Sequence, residues 1–233
     1  MLSGNEIKWL QNNPWYEVST PEAGVVTPSL SISPFDPAKV NPNSYNLTLH
    51  PELLVYMSNL RYVLDNIDLA ILDDYISPYS KLTDFSFLDT KSDIFDTAEE
   101  PEFLTLHIPP DGILLHPDIL YIGATNEVTK CVNLVPAIEG RSSVARAGIS
   151  VHQTAGFGDN GYHGAWTLEI RSSFPTRVYA DSEICQICFH EIGIAQHDLP
   201  CSKELPGPRY KGKYQGSSGP KATGWWKDFA KKN

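Results

Sequence analysis

Apolar and polar side chains alternate in short runs along most of this chain, and each run is bounded by Pro, Gly, Asp or Asn. Period-two alternation is the mark of a strand with one face buried and one face wet. It predicts strands at LSIS (30–33) and SYNLTLH (44–50). From about Glu102 a close succession follows: FLTLHI, GILLH, ILYIGAT, KCVNLV, ISVHQ, AWTLEI, RVYA and ICQICFHEI. So many short strands separated by turns predict a sandwich or a closed barrel. Helical spacing is confined to the start, where Ser3 and Glu6 stand at capping-box separation ahead of Ile7, Trp9 and Leu10. A short amphipathic helix ending by Asn12 to Pro14 is expected there.

Residues 58–100 break the pattern. They hold ten Asp or Glu against three Lys or Arg, interleaved with Leu, Ile, Tyr and Phe, which reads as a structural excursion with its own apolar anchors. Composition agrees with a β-rich reading: in 233 residues, 41% hydrophobic positions suffice for a core, while 18 Pro and 16 Gly interrupt too often for long helices. The net charge of -10 argues against broad binding to nucleic acid or to an anionic membrane. No apolar run approaches a membrane span and the opening MLSGNEIKWL is unlike a signal peptide, so a cytoplasmic protein is expected. The cysteines Cys131, Cys185, Cys188 and Cys201 are then four free thiols. Residues 206–233 reverse the charge, with seven basic side chains against Asp228, a net +6. This tail is either a solvated terminus or a clamp for a polyanion.

Candidate chemistry concentrates in EGRSSVARAGISVHQTAGFGDNGYHGAWTLEIR, Glu139 to Arg171. RSSVAR crowds two guanidinium groups and two hydroxyls into one turn, donors suited to phosphate oxygens or to a developing negative charge; a capped helix start would give much of the same pattern. In AWTLEI, Trp166, Leu168 and Ile170 share one face while Thr167, Glu169 and Arg171 share the other. Glu169 is a surface carboxylate if that second face is wet. If the face lines a partly dry junction, desolvation raises its pKa toward the range of a general acid or base, and Arg171 on the same face would oppose the rise. Cys185 and Cys188 form C-x-x-C, yet on a strand they project to opposite faces, which fits core thiols better than a metal site.

RSSVARAGISVH, TAGFGDNGYHG, TLEI and the tail KYQGSSGP, in this order, resemble the dCTP deaminase branch of the trimeric dUTPase-like superfamily, and SPFDPAKVNPNSYNLTL near the start is similar too. The resemblance implies an all-β fold: a distorted, jelly-roll-like β-barrel with a short N-terminal helix and few other short helices. The barrel domain would span 1–205 with the acidic insertion at about 58–100, and the tail at 206–233 would close over bound nucleotide. It implies a homotrimer with active sites between subunits, dCTP or dUTP as ligands, no nucleic-acid or membrane partner, and hydrolytic deamination at C4 without zinc. Magnesium would arrive on the triphosphate. Glu169 would shuttle protons, while Ser142 and the Ala155 carbonyl orient the attacking water. Arg146 would hold the carboxylate and stabilise the transition state. Arg141, Ser142 and Ser143 would meet phosphates and Asp159 the deoxyribose hydroxyl, with Thr167, Leu168, Tyr210, Lys213 and Ser217 completing the substrate contacts.

The expected product is dUTP, with dUMP and pyrophosphate as the alternative, because the TAGF wording is closer to bifunctional members. Two other readings are a plain dUTPase, which has an apolar residue where Glu169 stands, and a trimer that senses nucleotide or binds protein without turnover. A zinc deaminase would carry H-x-E followed by P-C-x-x-C, and neither motif is present. Departures from the family pattern are Ser217 for Gln, Gly158 and Asn160 around Asp159, Arg171 beyond Glu169, and Asn46 for Asp. They bear on base specificity, including whether a modified cytosine is the substrate. His152 adjoins the site segment as a structural or nucleotide-sensing residue.

Overall fold

The computed structural model of the chain describes residues 1–13, 28–66, 72–80, 94–192 and 210–230. Cys201, Arg209 and part of the acidic excursion lie outside the described residues. The first helix, α1 (Gly4–Asn12), forms as its spacing predicts. Ser3 Oγ accepts the Glu6 N–H at 3.4 Å and the Glu6 carboxylate accepts the Ser3 N–H at 2.7 Å, a complete capping box. Ile7 and Leu10 enter the core while Trp9 stays outside.

The strands are β1 (Ser29–Ser33), β2 (Tyr45–Thr48), β3 (Glu52–Tyr56), β4 (Phe103–His107), β5 (Ile113–Leu115), β6 (Tyr121–Val132), β7 (Leu134–Gly140), β8 (Ile149–Ser150), β9 (His163–Ser172), β10 (Thr176–Val178) and β11 (Glu183–Glu191). Three short helices accompany them: α2 (Met57–Asn66), α3 (Ser142–Arg146) and α4 (Lys227–Ala230). The protein is mostly β. Its larger sheet runs β4-β3-β6-β9-β8, with β1 paired to the far end of β6; a second sheet runs β2-β11-β7, and β10 pairs β5 apart from both. All of these pairings are antiparallel. The core lies where the sheets face each other, around Tyr45, Leu47, Leu53, Tyr121, Leu168 and Phe189.

The expected barrel is not closed among the described residues. Strands β5, β8 and β10 have only three, two and three residues, too few to carry a ladder round from one sheet to the other. The ISVHQ run therefore shrinks to Ile149–Ser150. The runs ILYIGAT and KCVNLV, by contrast, merge into one long β6, which turns into β7 at Asn133, a residue of positive φ (61°). β3 was missed by the alternation because its inner residues Leu53 to Tyr56 are all buried. SYNLTLH also fails to be half wet, since both faces of β2 are covered. Asn46 on its polar face donates to Glu183 (2.9 Å) and accepts from Asn41 (2.7 Å).

A register shift between Ala124 and Val128 bends β6. Glu127 within the bulge is fully buried, and its carboxylate accepts Lys39 Nζ (2.8 Å), the Thr48 N–H (2.8 Å) and Thr48 Oγ1 (2.9 Å). The excursion does have the apolar anchors expected of it: Leu60, Val63 and Ile76 are in the core, and Tyr79 Oη accepts the Leu114 N–H at 3.2 Å.

Candidate active site

Strand β9 presents its two faces as the alternation predicts. Trp166, Leu168 and Ile170 are buried, Thr167 and Glu169 are half-buried, and Arg171 is exposed. The wet face is not open surface, because Thr167 and Glu169 line a cleft of about 510 Å³. Three further elements complete its walls. The segment after β8 brings Ala155, Gly158, Asp159 and Tyr162; β3 and the approach to β6 bring Tyr56, Leu120 and Ile122; and the C-terminal segment brings Tyr210, Tyr214, Lys221, Thr223 and Trp225. Phe95 enters from the end of the acidic excursion.

Burial pushes the Glu169 carboxyl above the ordinary carboxylate range, and the Gln153 N–H, which it accepts at 3.3 Å on Oε2, and nearby His152 pull it part of the way back. The anticipated opposition from Arg171 is not among the causes; that side chain points out to solvent. A half-desolvated carboxyl with a raised pKa holds its proton more firmly than a surface carboxylate, which suits a group that must both take and give one. Asp159 is exposed within the cleft, and Lys221 is the cation among the lining residues.

Gly158 stands where the related pattern has Ile, and the neighbours supply the reason. A Cβ at this position would run into the Trp166 ring, whose Nε1 is held by Thr129 Oγ1 at 2.9 Å, and into Pro136. The large indole fills the space that a side chain on Gly158 would need.

The tail residues reach the cleft by pairing with the free edge of β9. Gly216 N–H donates to the His163 carbonyl (2.7 Å) and Ala165 N–H donates to the Ser217 carbonyl (2.8 Å). Farther along, the Thr223 N–H donates to Tyr56 Oη (2.9 Å) and the Gly224 N–H to Tyr214 Oη (3.0 Å). Tyr210 meets Tyr162 edge to face, with ring centroids 5.7 Å apart.

Of the residues singled out by sequence, Ala155, Asp159, Thr167, Glu169 and Tyr210 come together in this cleft. Leu168 turns its side chain into the core, and Ser217 is buried beside β9. Lys213 faces the other side of the tail, paired with Asp228 at 2.6 Å. Arg141, Ser142, Ser143 and Arg146 do not line the cleft of their own chain. They form and cap α3, in which Ser142, Ser143 and Arg146 are exposed, while Arg141 donates to the Glu183 carboxylate and carbonyl, each at 2.8 Å. Tyr56, Phe95, Leu120, Ile122 and Lys221 were not anticipated. Nothing in the alternation separates a strand residue that lines a cleft from one that packs inward.

The C-x-x-C pair divides across β11 as strand geometry requires, with Cys185 inside and Cys188 half-buried on the other face. Burial raises both thiols, and that of Cys131 to about 12. Among the described residues no three His, Cys, Asp or Glu side chains gather as a metal cluster, and no helix is long and apolar enough to cross a membrane.

A family model described as dCTP deaminase-like matches residues 23–192. The dUMP-forming dCTP deaminase of Clostridium beijerinckii is 40% identical over 87% of this chain and 92% of its own length. The protein of the same name from Hathewaya histolytica is 36% identical over 98% of this chain and 99% of its own. Among solved structures, 2'-deoxycytidine 5'-triphosphate deaminase from Agrobacterium tumefaciens aligns at 19% identity and a TM-score of 0.48, over 81% of this chain and 47% of that one.

Proposed function

Because the chain belongs to the dCTP deaminase-like family, we propose that it converts dCTP and two waters to dUMP, ammonia and pyrophosphate. The observation that carries this reading is Glu169, a carboxyl of raised pKa half-buried in a nucleotide-sized cleft with Asp159 and Tyr210. The names of the relatives favour dUMP over dUTP as the product, which moves the weight from simple deamination to the bifunctional alternative.

Water attacking C4 of cytosine must lose a proton while ring N3 gains one, and the departing amine must then be protonated to leave as ammonia. One carboxyl beside the ring serves all three transfers: Glu169 takes the proton of the water, hands it to N3, and passes the next to the amine. Burial raises its pKa and so favours the protonated form that the second and third transfers need. The Ala155 carbonyl accepts from the attacking water, and Asp159 accepts from the deoxyribose hydroxyl. A second water then attacks the α-phosphorus, and the bond to the bridging oxygen breaks to release pyrophosphate.

The triphosphate and the oxyanion need positive charge, and among the described residues that line the cleft Lys221 is the one cation. We assign that role to Arg141, Ser142, Ser143 and Arg146 of a neighbouring copy in a homotrimer. In that arrangement exposed α3 reaches the cleft from outside, and the tail, with Tyr210, closes over the nucleotide. Magnesium would be held by the phosphate oxygens of the substrate and would offset their charge, since its preferred oxygen donors come with the nucleotide.

Incubation of the purified protein with dCTP and Mg2+, with ammonia, nucleotide and pyrophosphate measured together, tests the reading. Equimolar dUMP, ammonia and pyrophosphate are expected. Absence of both dUTP and dUMP overturns the assignment, and dUTP without pyrophosphate restricts it to deamination.

A further inference from the structure

The cleft that holds Glu169 has two chemically different stretches. Asp159 and Tyr210 bring polar atoms to one stretch of the lining. Tyr56, Phe95, Leu120 and Ile122 make an apolar wall, met at Tyr56 by the tail segment of Lys221 and Thr223; Tyr56 and Ile122 belong with Leu54 behind them to a small hydrophobic cluster separate from the main core. The carboxylate stands at the boundary, because Ile122 is the direct cross-strand partner of Glu169. Phe95 meets Tyr56 edge to face, with centroids 5.0 Å apart and planes at 72°. This aromatic pair joins the sheet to the acidic excursion, whose only evident purpose in the sequence was structural.

A nucleoside triphosphate is a ligand of two natures, a flat ring of low charge and a chain of anionic oxygens. Anionic oxygens against Phe95, Leu120 and Ile122 would lose their water and gain no donor. A pyrimidine there loses little and gains aromatic contact. Tyr56 adds one polar handle. Its oxygen accepts the Thr223 N–H at 2.9 Å, and among the described residues its own proton has no acceptor, which leaves that proton for a ring carbonyl.

We propose that Phe95 and Tyr56 are specificity-determining residues that form the base-binding end of the cleft, so that the excursion serves pyrimidine recognition. The proposal rests on the deoxycytidine nucleotide reading of the site. It assigns the excursion's Phe95 to the ring, and Tyr56 to the ring and the tail together.

Calorimetric titration of the full chain with dCTP, deoxycytidine and inorganic tripolyphosphate separates the two ends of the ligand. Phe95→Ala should weaken dCTP and deoxycytidine about tenfold, the scale of one lost aromatic contact, and leave tripolyphosphate within about twofold. In turnover it should raise KM for dCTP and hold kcat within about threefold, and Phe95→Tyr should restore both affinities. Tyr56→Phe keeps the ring and should weaken the same two ligands about threefold, the share of one hydrogen bond. Phe95 is 38% exposed, so its truncation spares the core; should the variant fail to fold, Phe95→Leu keeps apolar volume without the ring and carries the same comparison. Equal losses for all three ligands, or no loss for deoxycytidine, overturn the proposal. Wild-type protein that binds dCTP without consuming it defeats the reaction assignment and leaves this comparison standing, whereas wild-type protein that binds none of the three defeats both.

Discussion

Glu169 is costly to keep. Held half-buried with its pKa above the ordinary range, it retains a proton in the folded chain at a pH where the unfolded chain has released it. Its contribution therefore favours the folded state at low pH and is lost as pH rises through the elevated pKa. Glu169→Gln should remove that slope, so that the thermal midpoint of the variant gains on wild type as pH rises above about 4.5. The same substitution should lower kcat by roughly 10²–10⁴-fold, and the acid limb of the wild-type rate profile should lie above the usual carboxylate range. Full turnover by the variant would reassign the proton carrier. Glu127 is the contrasting carboxylate, fully buried and fully bonded. Glu127→Ala leaves the Lys39 amine and the Thr48 N–H facing a void, and we expect about 3–5 kcal/mol of destabilisation in denaturant titration. The facing of Glu169 was legible in TLEI from period two alone. Glu127 was not, because a lone Glu between Asn126 and Val128 carries no sign that a bulge will bury it.

At the scale of elements, the capping box of α1, both faces of β9 and the anchors of the excursion followed from local pattern, since each depends on neighbours within a turn or on strict alternation. The elements that escaped are those decided by distant partners. β3 is buried by β4 and β6 on its sides and by layers above and below, so no alternation survives in its sequence. The tail is of the same kind. Its Gly-rich, basic composition left it open between a solvated terminus and a clamp, yet Gly216 and Ser217 continue the edge of β9 through two backbone hydrogen bonds. Removing the chain from Arg209 onward should expose that edge and open the cleft while leaving the two facing sheets intact. Calorimetry on the truncated protein should show dCTP binding weakened at least tenfold, with the far-ultraviolet dichroism of the sheets preserved. Loss of the folded state would make the tail part of the core instead.

The whole molecule divides its candidate machinery in a way that one chain does not resolve. Glu169 lies in the cleft, while Ser142 and Arg146 sit exposed on α3 and do not line it. In the proposed trimer each site takes one set from each of two subunits. Mixing Glu169→Gln protein with Arg146→Ala protein under conditions that exchange subunits should then restore about a quarter of wild-type activity per site, the share expected of random assortment in a closed ring. No recovery would place both residues in the same subunit's site. Linear order alone does not separate the two sets, because it says nothing of which copy would supply which group; an active site between subunits was only what the family resemblance implied. One strand underlies the architecture on which all of this rests. β6 hydrogen-bonds β1, β3 and β9 at once, and β1 in turn is tied to α1 through the Gln11 side chain. A sheet strung on a single central rod has no place to unzip by halves, so a fluctuation that loosened β6 would carry away the proton carrier, the first helix and the aromatic wall as one cooperative unit.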